Sequence, residues 1–330
     1  MLIVDAHLDL AYNVAQGRDV RFPAAQQPAL AYGTPSVSLP ELRAGGVGLI
    51  CATIFCEPRG PDAPNGYTNA DEAHAQATQQ LAWYRDRFDD GELHRDLNDP
   101  LAAILLLEGA DAIRSPDDVQ TLFDAGVRIV GLAWKRTRYA GGTGEPGPLT
   151  HEGVELVLEL DRFKIIHDVS HLDEQSFWQL LDLSAGPVIA SHSNCKSIVV
   201  GTSNRHLTDD MIRAIAKRGG VIGINFFYKF LVPVDQQEKR RATLADVVNH
   251  VKHICDLTGS ADHVGLGTDM DGGLGRDQIP VEIRTSADLP RVAEALSAAG
   301  FRDDDVRRIM GENWLGYFRR ALGDVSSPTK

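Results

Sequence analysis

The chain has 330 residues, of which 43% are apolar and 24% are charged, and its formal net charge at pH 7 is −13. This composition is typical of a globular protein with one large domain or two ordinary ones. The acidic balance argues against sequence-independent binding of nucleic acid or of an anionic membrane, because both depend on basic patches. The sequence shows no signal-peptide pattern and no apolar stretch near the roughly 18 residues of a membrane-spanning helix, so we expect a cytoplasmic protein without a membrane partner.

Short apolar runs alternate with amphipathic stretches along the whole chain, which is typical of βα units that form a parallel sheet. The pattern predicts eight strands, at residues 2–6, 47–55, 101–107, 127–133, 163–168, 187–190, 220–226 and 263–268. The clearest predicted helices lie at residues 69–88, 243–257, 286–299 and 303–321.

Eight strands that alternate with helices predict an α/β fold, a single (β/α)8 TIM barrel. It would span residues 1–330 and end in a C-terminal helix. An open doubly wound sheet is the alternative architecture. No G-x-G-x-x-G motif follows the first strand, which weakens the case for a dinucleotide-binding site.

Polar side chains follow five of the predicted strands, at the end of a barrel where active sites lie. They are His7 and Asp9 after the first strand, Glu108 after the third, His171 after the fifth, His192 after the sixth and Asp269 after the eighth. His7 and Asp9 are two residues apart, so in extended chain their side chains face the same way. Imidazole and carboxylate are ligands of Zn, Mn or Fe, and converging buried carboxylates require a cation. The sequence therefore predicts a divalent-metal site.

Three histidines with several carboxylates exceed the three protein ligands that usually hold one catalytic zinc ion. We therefore predict two ions, one bound by His7 and Asp9 and the other by His171 and His192. Glu108 is the predicted bridge between them, since its strand lies between the two ligand groups in chain order. A hydroxide that bridges the ions is the predicted nucleophile.

Asp269, after the last strand, is the predicted catalytic residue, which would accept and pass on a proton. Asp271 follows it by two residues and is predicted to contact the substrate.

Five sequence strings resemble, in order, the membrane (renal-type) dipeptidase family, peptidase family M19 of the amidohydrolase superfamily. They are DAHLD, LLLEG, DVSHLD, PVIASHS and GLGTDMDG, and the resemblance runs from residue 3 to about residue 315. It implies a hydrolase that cleaves small dipeptides with two zinc ions, tolerance of a D-residue at the C-terminal side, and a homodimer. It also implies that Arg205 binds the substrate carboxylate, a role that suits a planar guanidinium group.

The segment after the fourth strand departs from the family. Trp134 stands where the animal members have a histidine that polarises the scissile carbonyl, and an indole can donate one hydrogen bond but cannot act as an acid. We expect Trp134 to form an aromatic wall of the substrate pocket. Lys135 is a lesser candidate for the metal bridge, as a carboxylated lysine.

Residues 135–139 are strongly basic and end in Tyr139, which we predict to contact the substrate. A charge run of this kind is a solvated face or, alternatively, a loop that favours an acidic substrate.

The predicted reaction is hydrolysis of the amide bond of a dipeptide or of a small N-acyl amino acid. One alternative is an amidohydrolase that acts on a cyclic amide or a lactone. The other is a barrel that binds a metal or a ligand without turnover, an alternative motivated by Trp134.

Overall fold

The structure, a computed structural model, describes residues 1–61, 63–201 and 204–323. Within these ranges eight parallel strands form one sheet with the order β6-β5-β4-β3-β2-β1-β8-β7. The strands are β1 (Ile3–Leu8), β2 (Val47–Phe55), β3 (Ala102–Glu108), β4 (Val127–Gly131), β5 (Ile166–Asp168), β6 (Val188–Ile189), β7 (Ile222–Ile224) and β8 (Val264–Leu266). A bridge between Ala190 and Ile222 brings the ends of this order together. The predicted (β/α)8 barrel is thereby confirmed.

Twelve α-helices surround the strands in the described part of the chain. They are α1 (Leu10–Ala15), α2 (Leu39–Ala44), α3 (Ala70–Asp89), α4 (Asp118–Asp124), α5 (His151–Arg162), α6 (Glu174–Leu183), α7 (Asp209–Lys217), α8 (Tyr228–Leu231), α9 (Leu244–Thr258), α10 (Pro290–Ala298), α11 (Asp303–Arg307) and α12 (Asn313–Leu322). No helix among the described residues is both long and apolar enough to cross a bilayer.

Three helices begin at side chains that cap their first turn. Thr150, Asp173 and Thr208 accept hydrogen bonds from backbone N–H groups at 3.0, 3.1 and 3.3 Å, at the starts of α5, α6 and α7. Each bond satisfies a donor that the first turn of a helix leaves without a partner.

Two predicted helices have different bounds in the structure. The stretch at 286–299 is a 3₁₀ turn at Ser286–Asp288 followed by α10, which starts at Pro290 because proline suits the first turn of a helix. The last helix is interrupted by a π-helical turn, Arg308–Glu312, between α11 and α12. The short helices α1, α2 and α8 lie in loops and were not predicted.

The C-terminal helix closes the amino end of the barrel. Trp314 and Tyr317 pack with inward-facing strand residues such as Val4 and Leu49 in one buried cluster. The Trp314 indole donates to the carbonyl of Leu266 at 3.0 Å. A Cβ at Gly265 would lie 2.6 Å from Trp314 Cδ1, so this strand position has room only for glycine. We call this part of α12, Trp314 and Tyr317, the plug. It fills the amino end of the barrel, and the loops that carry the polar residues lie at the opposite end.

Trp314→Ala should lower the free energy of unfolding by about 3–5 kcal/mol, because it removes a fully buried indole and one hydrogen bond. Urea unfolding followed by circular dichroism measures the effect. Trp178→Ala is the matched control, since this tryptophan is 36% exposed on α6 and its loss should cost less than about 1 kcal/mol. Equal effects of the two substitutions would show that packing of Trp314 in the barrel does not contribute to stability as stated here.

Candidate active site

The first and last strands of the barrel are tied together directly below the site. Asp5 accepts from the backbone N–H of Thr268 at 2.8 Å and from its hydroxyl at 2.6 Å, across the β1–β8 contact. The Asp269 N–H donates to the carbonyl of His7 at 3.3 Å. These bonds hold His7 and Asp269 on adjacent strand ends.

Glu108 lies at the centre of the predicted ligands. Its Oε2 is 3.6 Å from His7 Nε2, and its Oε1 is 3.2 Å from the Nε2 atoms of both His171 and His192. Asp9 Oδ2 lies 3.7 Å from His7 Nε2. The five predicted ligands therefore meet at the carboxyl end of the barrel, and the two oxygens of Glu108 face the two predicted groups.

Several of these atoms lack a hydrogen-bond partner although they are buried. Among the described residues this holds for His7 Nε2, Asp9 Oδ1 and Glu108 Oε1. The Nε2 atoms of His171 and His192 lie 3.0 Å apart. Lone pairs that converge without donors are unfavourable unless a cation lies between them, so this donor set fits divalent metal ions.

The electrostatics of the protein alone also favour a cation. Burial raises the pKa of Asp9 well above its usual range, although His7 partly opposes this shift. Burial disfavours a charged His7, yet the carboxylates of Glu108 and Asp9 raise its pKa to about 10. Burial lowers the pKa of His171 to about 4, so its imidazole is neutral and able to bind a metal. The carboxylates that raise the pKa of His7 would favour a bound cation in the same way.

Asp269 has the environment of a proton carrier. It lines the cavity, and its Oδ2 accepts from Asn225 Nδ2 at 2.8 Å. Burial raises its pKa to about 7, with His7 opposing the shift. A carboxyl that titrates near neutral pH can both take and return a proton.

Two site residues adopt a left-handed backbone conformation. His171 has a φ of 64° and Asp269 a φ of 58°. Side chains other than glycine rarely adopt this conformation, and it is concentrated at functional sites because neighbouring structure must hold it.

The metal ligands open into a cavity of about 280 Å³. Trp134 is one of its walls, as predicted, and packs edge-on against Phe55 with ring centroids 5.1 Å apart. Lys135 also lines the cavity, with its Nζ 5.2 Å from the centroid of the Trp134 ring, whereas Glu108 is the group that lies among the histidines.

Sequence reasoning missed several cavity residues. They are Tyr12, Phe55, Glu57, Thr143, Phe227, Phe230 and Leu274. Phe55 and Glu57 lie at the end of β2, and Phe227 and Phe230 come soon after β7. The strand-end rule that found the metal ligands would have found these four as well, had it been applied to aromatic residues and to β2 and β7.

Three predicted substrate contacts do not line the cavity. Arg205 is buried, and it donates to Ser193 Oγ at 2.9 Å and to the His192 carbonyl at 2.7 Å. Its guanidinium lies 5.2 Å from the ring centroid of Phe230, which does line the cavity.

The positions of Asp271 and Tyr139 correct the prediction that they touch the substrate. Asp271 accepts from the Ser36 hydroxyl at 2.7 Å and pairs with Arg18 at 3.3 Å, so it anchors a loop. Tyr139 is fully buried and donates its hydroxyl hydrogen to the carbonyl of Ile113.

Comparison with known proteins identifies this arrangement. A model of the membrane dipeptidase family, peptidase family M19, matches residues 1–326. The chain belongs to this family. It is 27% identical over 335 residues to an uncharacterized dipeptidase of Schizosaccharomyces pombe, in a match that covers 95% of this chain and 79% of that protein.

Solved structures agree with the family assignment. The dipeptidase AC, an M19 metallopeptidase, superimposes with a TM-score of 0.82 at 28% identity and covers 98% of this chain and 99% of its own. A metallopeptidase from Rhodobacter sphaeroides, bound to a phosphinate mimic of L-Ala-D-Ala, gives a TM-score of 0.79 at 29% identity, with 97% and 99% covered. The protein is thus a dipeptidase that uses divalent metal and acts on small peptides.

Gly272 is a site residue that the metal-ligand pattern does not reveal. A Cβ at this position would collide with the Asp269 carboxylate and lie 2.7 Å from Asp9 Oδ2. Gly272→Ala should therefore displace both carboxylates and lower kcat/KM about 100-fold, the size of effect that a displacement of roughly 1 Å produces. Steady-state dipeptide hydrolysis measures it. Gly60→Ala is the control, since nothing lies within 4 Å of a Cβ there. Wild-type rates for Gly272→Ala would contradict the close packing of the two carboxylates.

Proposed function

We propose that this M19 dipeptidase hydrolyses its substrate at a centre for two divalent cations, with Glu108 as the bridge. The proposal rests on the two oxygens of the Glu108 carboxylate, which face different histidines. Oε2 lies 3.6 Å from His7 Nε2, and Oε1 lies 3.2 Å from the Nε2 atoms of His171 and His192. Asp9 completes the first group. The mixture of imidazole and carboxylate favours Zn²⁺. When bound, such ions polarise a carbonyl and lower the pKa of water.

The proposed role of Asp269 is to carry the proton. Its carboxylate lines the cavity, and its pKa of about 7 allows it to take a proton from the attacking water and return it to the leaving amine. Asn225 holds one of its oxygens at 2.8 Å, which leaves the other free for this exchange.

The charges around the cavity suit a zwitterionic dipeptide. Glu57 follows β2 and lines the cavity, and Arg205 follows β6. The second and sixth strands of an eight-stranded barrel lie on opposite sides. We therefore propose that the substrate's ammonium group faces Glu57 and that its carboxylate faces the Arg205 side.

Arg205 needs a local movement to touch that carboxylate. Its Nε–H is buried without an acceptor, and its guanidinium lies over the ring of Phe230, which lines the cavity. A shift of the Phe230 ring would expose the Arg205 Nε–H to the substrate. The planar guanidinium could then bind the substrate carboxylate. The R. sphaeroides relative binds a mimic of L-Ala-D-Ala, which supports a small dipeptide with a D-residue at its C-terminal side.

A metal count combined with a dipeptide library tests the reaction. The metal-replete protein should bind two ions and cleave L,L or L,D dipeptides. Asp269→Asn should retain the metal and lose about 10²–10⁴-fold in kcat, the usual contribution of general acid–base catalysis. Asp277→Asn, an exposed carboxylate eight residues further on, is the matched control.

Two outcomes would contradict the proposal. One is a protein with two bound ions that cleaves no dipeptide, whether or not it opens N-acyl amino acids, cyclic amides or lactones. The other is full activity with one ion per chain.

Lys135 provides the basis for a preference for acidic side chains. It is the one basic side chain that lines the cavity among the described residues. Its neighbours in the basic run face elsewhere, since Arg136 donates to the Pro146 carbonyl and Arg138 pairs with Glu152 at 2.8 Å.

Lys135→Met should lower kcat/KM about 10-fold for dipeptides with an acidic residue and leave neutral ones nearly unchanged, which matches the loss of one charged hydrogen bond. Arg136→Met, which removes an adjacent charge outside the cavity, should leave the ratio of acidic to neutral turnover unchanged. If both variants lower that ratio equally, the preference for acidic dipeptides arises from the net positive charge of residues 135–139, and Lys135 does not contact the substrate.

A further inference from the structure

One serine hydroxyl lies behind two of the metal-binding histidines. Ser191 Oγ is 2.7 Å from His192 Nδ1 and 3.3 Å from His7 Nδ1. Its third neighbour is Asp168 Oδ2 at 2.5 Å. All four side chains are at most 3% exposed, so water does not substitute for any of these contacts.

The surroundings of Asp168 determine the direction of each hydrogen bond. Its Oδ1 accepts from the backbone N–H groups of Ser170 at 3.0 Å and Ser191 at 2.8 Å. A carboxylate only accepts, so the Ser191 hydroxyl must donate its single hydrogen to Asp168.

The nearest remaining neighbours of Ser191 Oγ are the two imidazoles, since Ser170 Oγ lies farther away at 3.5 Å, so the oxygen accepts from both rings. His192 and His7 both carry a hydrogen on Nδ1 and donate it to the same oxygen. Each ring is thereby left with a lone pair on Nε2, the atom that faces Glu108. The partner of one ring nitrogen decides which nitrogen can bind metal.

We propose that Ser191, oriented by Asp168, is a positioning residue that sets the tautomer of one histidine in each half of the metal centre. His7 belongs to the group with Asp9, and His192 to the group with His171. The remaining histidine is held separately, since His171 Nδ1 lies 3.0 Å from Thr143 Oγ1. One hydroxyl therefore links the affinities of the two halves. The inference rests on the two-cation centre proposed above.

The same residues could be mistaken for another cation site. His7, Asp168 and His192 offer ligand atoms within 4.8 Å of one another. The Ser191 hydroxyl lies among these atoms, however, and both oxygens of Asp168 already accept hydrogen bonds. This arrangement supports the histidines and leaves no set of free ligands.

Asp168→Asn is the decisive substitution, because it preserves shape and reverses one hydrogen bond. The amide oxygen still accepts from the two backbone N–H groups, and the amide nitrogen donates to Ser191 Oγ. The hydroxyl must then donate to one imidazole, whose hydrogen moves to Nε2. We expect the affinity for Zn²⁺, measured by competition with a chromophoric chelator, to fall about 10–100-fold. Because only one imidazole is converted, the binding of the ion that this imidazole would hold should weaken most.

A second readout follows the tautomers without metal or turnover. ¹⁵N spectra of the histidine-labelled, metal-free protein should show His192 as a neutral imidazole with its hydrogen on Nδ1, and Asp168→Asn should move that hydrogen to Nε2. Wild-type Zn²⁺ affinity in Asp168→Asn, or unchanged tautomers, would overturn the proposal.

Two further variants keep the test decisive. Ser191→Ala removes the oxygen that accepts from both histidines and should weaken the binding of both ions. This variant tests the proposal if Asp168→Asn does not fold. Ser176→Ala deletes another buried serine, one that bonds the Gly147 carbonyl at 2.8 Å, and should retain wild-type affinity. If the wild type binds only one ion, the two-cation centre fails, while the tautomer spectra still decide the role of Ser191.

Discussion

The constraint on which this molecule depends is the compensation of negative charge buried at the mouth of a barrel. Glu108, Asp9 and Asp269 are removed from water in one small space, and burial keeps the nearby imidazoles of His171 and His192 neutral. A carboxylate in such surroundings is costly unless a cation lies close to it. The positions of the surrounding side chains are consistent with that need. Three Nε2 atoms face Glu108, and their Nδ1 atoms contact the hydroxyls of Ser191 and Thr143.

The strand-end rule explains why so much of this centre could be predicted. A polar residue that ends a fully apolar run stands out in the sequence, and Glu108 after β3 is the clearest case. The β2 strand has the same bounds in the sequence pattern and in the structure, because nine consecutive residues from Val47 to Phe55 carry the signal. Strands β5 to β8 are only two or three residues long, and there the pattern overestimated their length.

The substrate side could not be predicted to the same extent, since it depends on packing between distant segments. Asp271 resembles a site residue by its spacing from Asp269, yet Ser36 and Arg18, more than 200 residues away in the chain, turn it into an anchor. Arg205 does not line the cavity, whereas Phe230 from the unpredicted helix α8, whose ring packs against its guanidinium, does. Distances of this kind are set by tertiary contacts that no local pattern encodes. Trp134 is the instructive exception, because its match to the family histidine after the fourth strand predicted a wall of the pocket, and it lines the cavity.

The left-handed conformations of His171 and Asp269 also bear on how the protein acquires its metal. Each costs on the order of 1–3 kcal/mol, and the protein adopts them with side-chain hydrogen bonds from Thr143 and Asn225 in place. These hydrogen bonds connect both residues to the surrounding barrel. We therefore expect a chelator to remove the metal while the strands and the packing around Trp314 remain folded, and the protein to take up metal again without passing through an unfolded state.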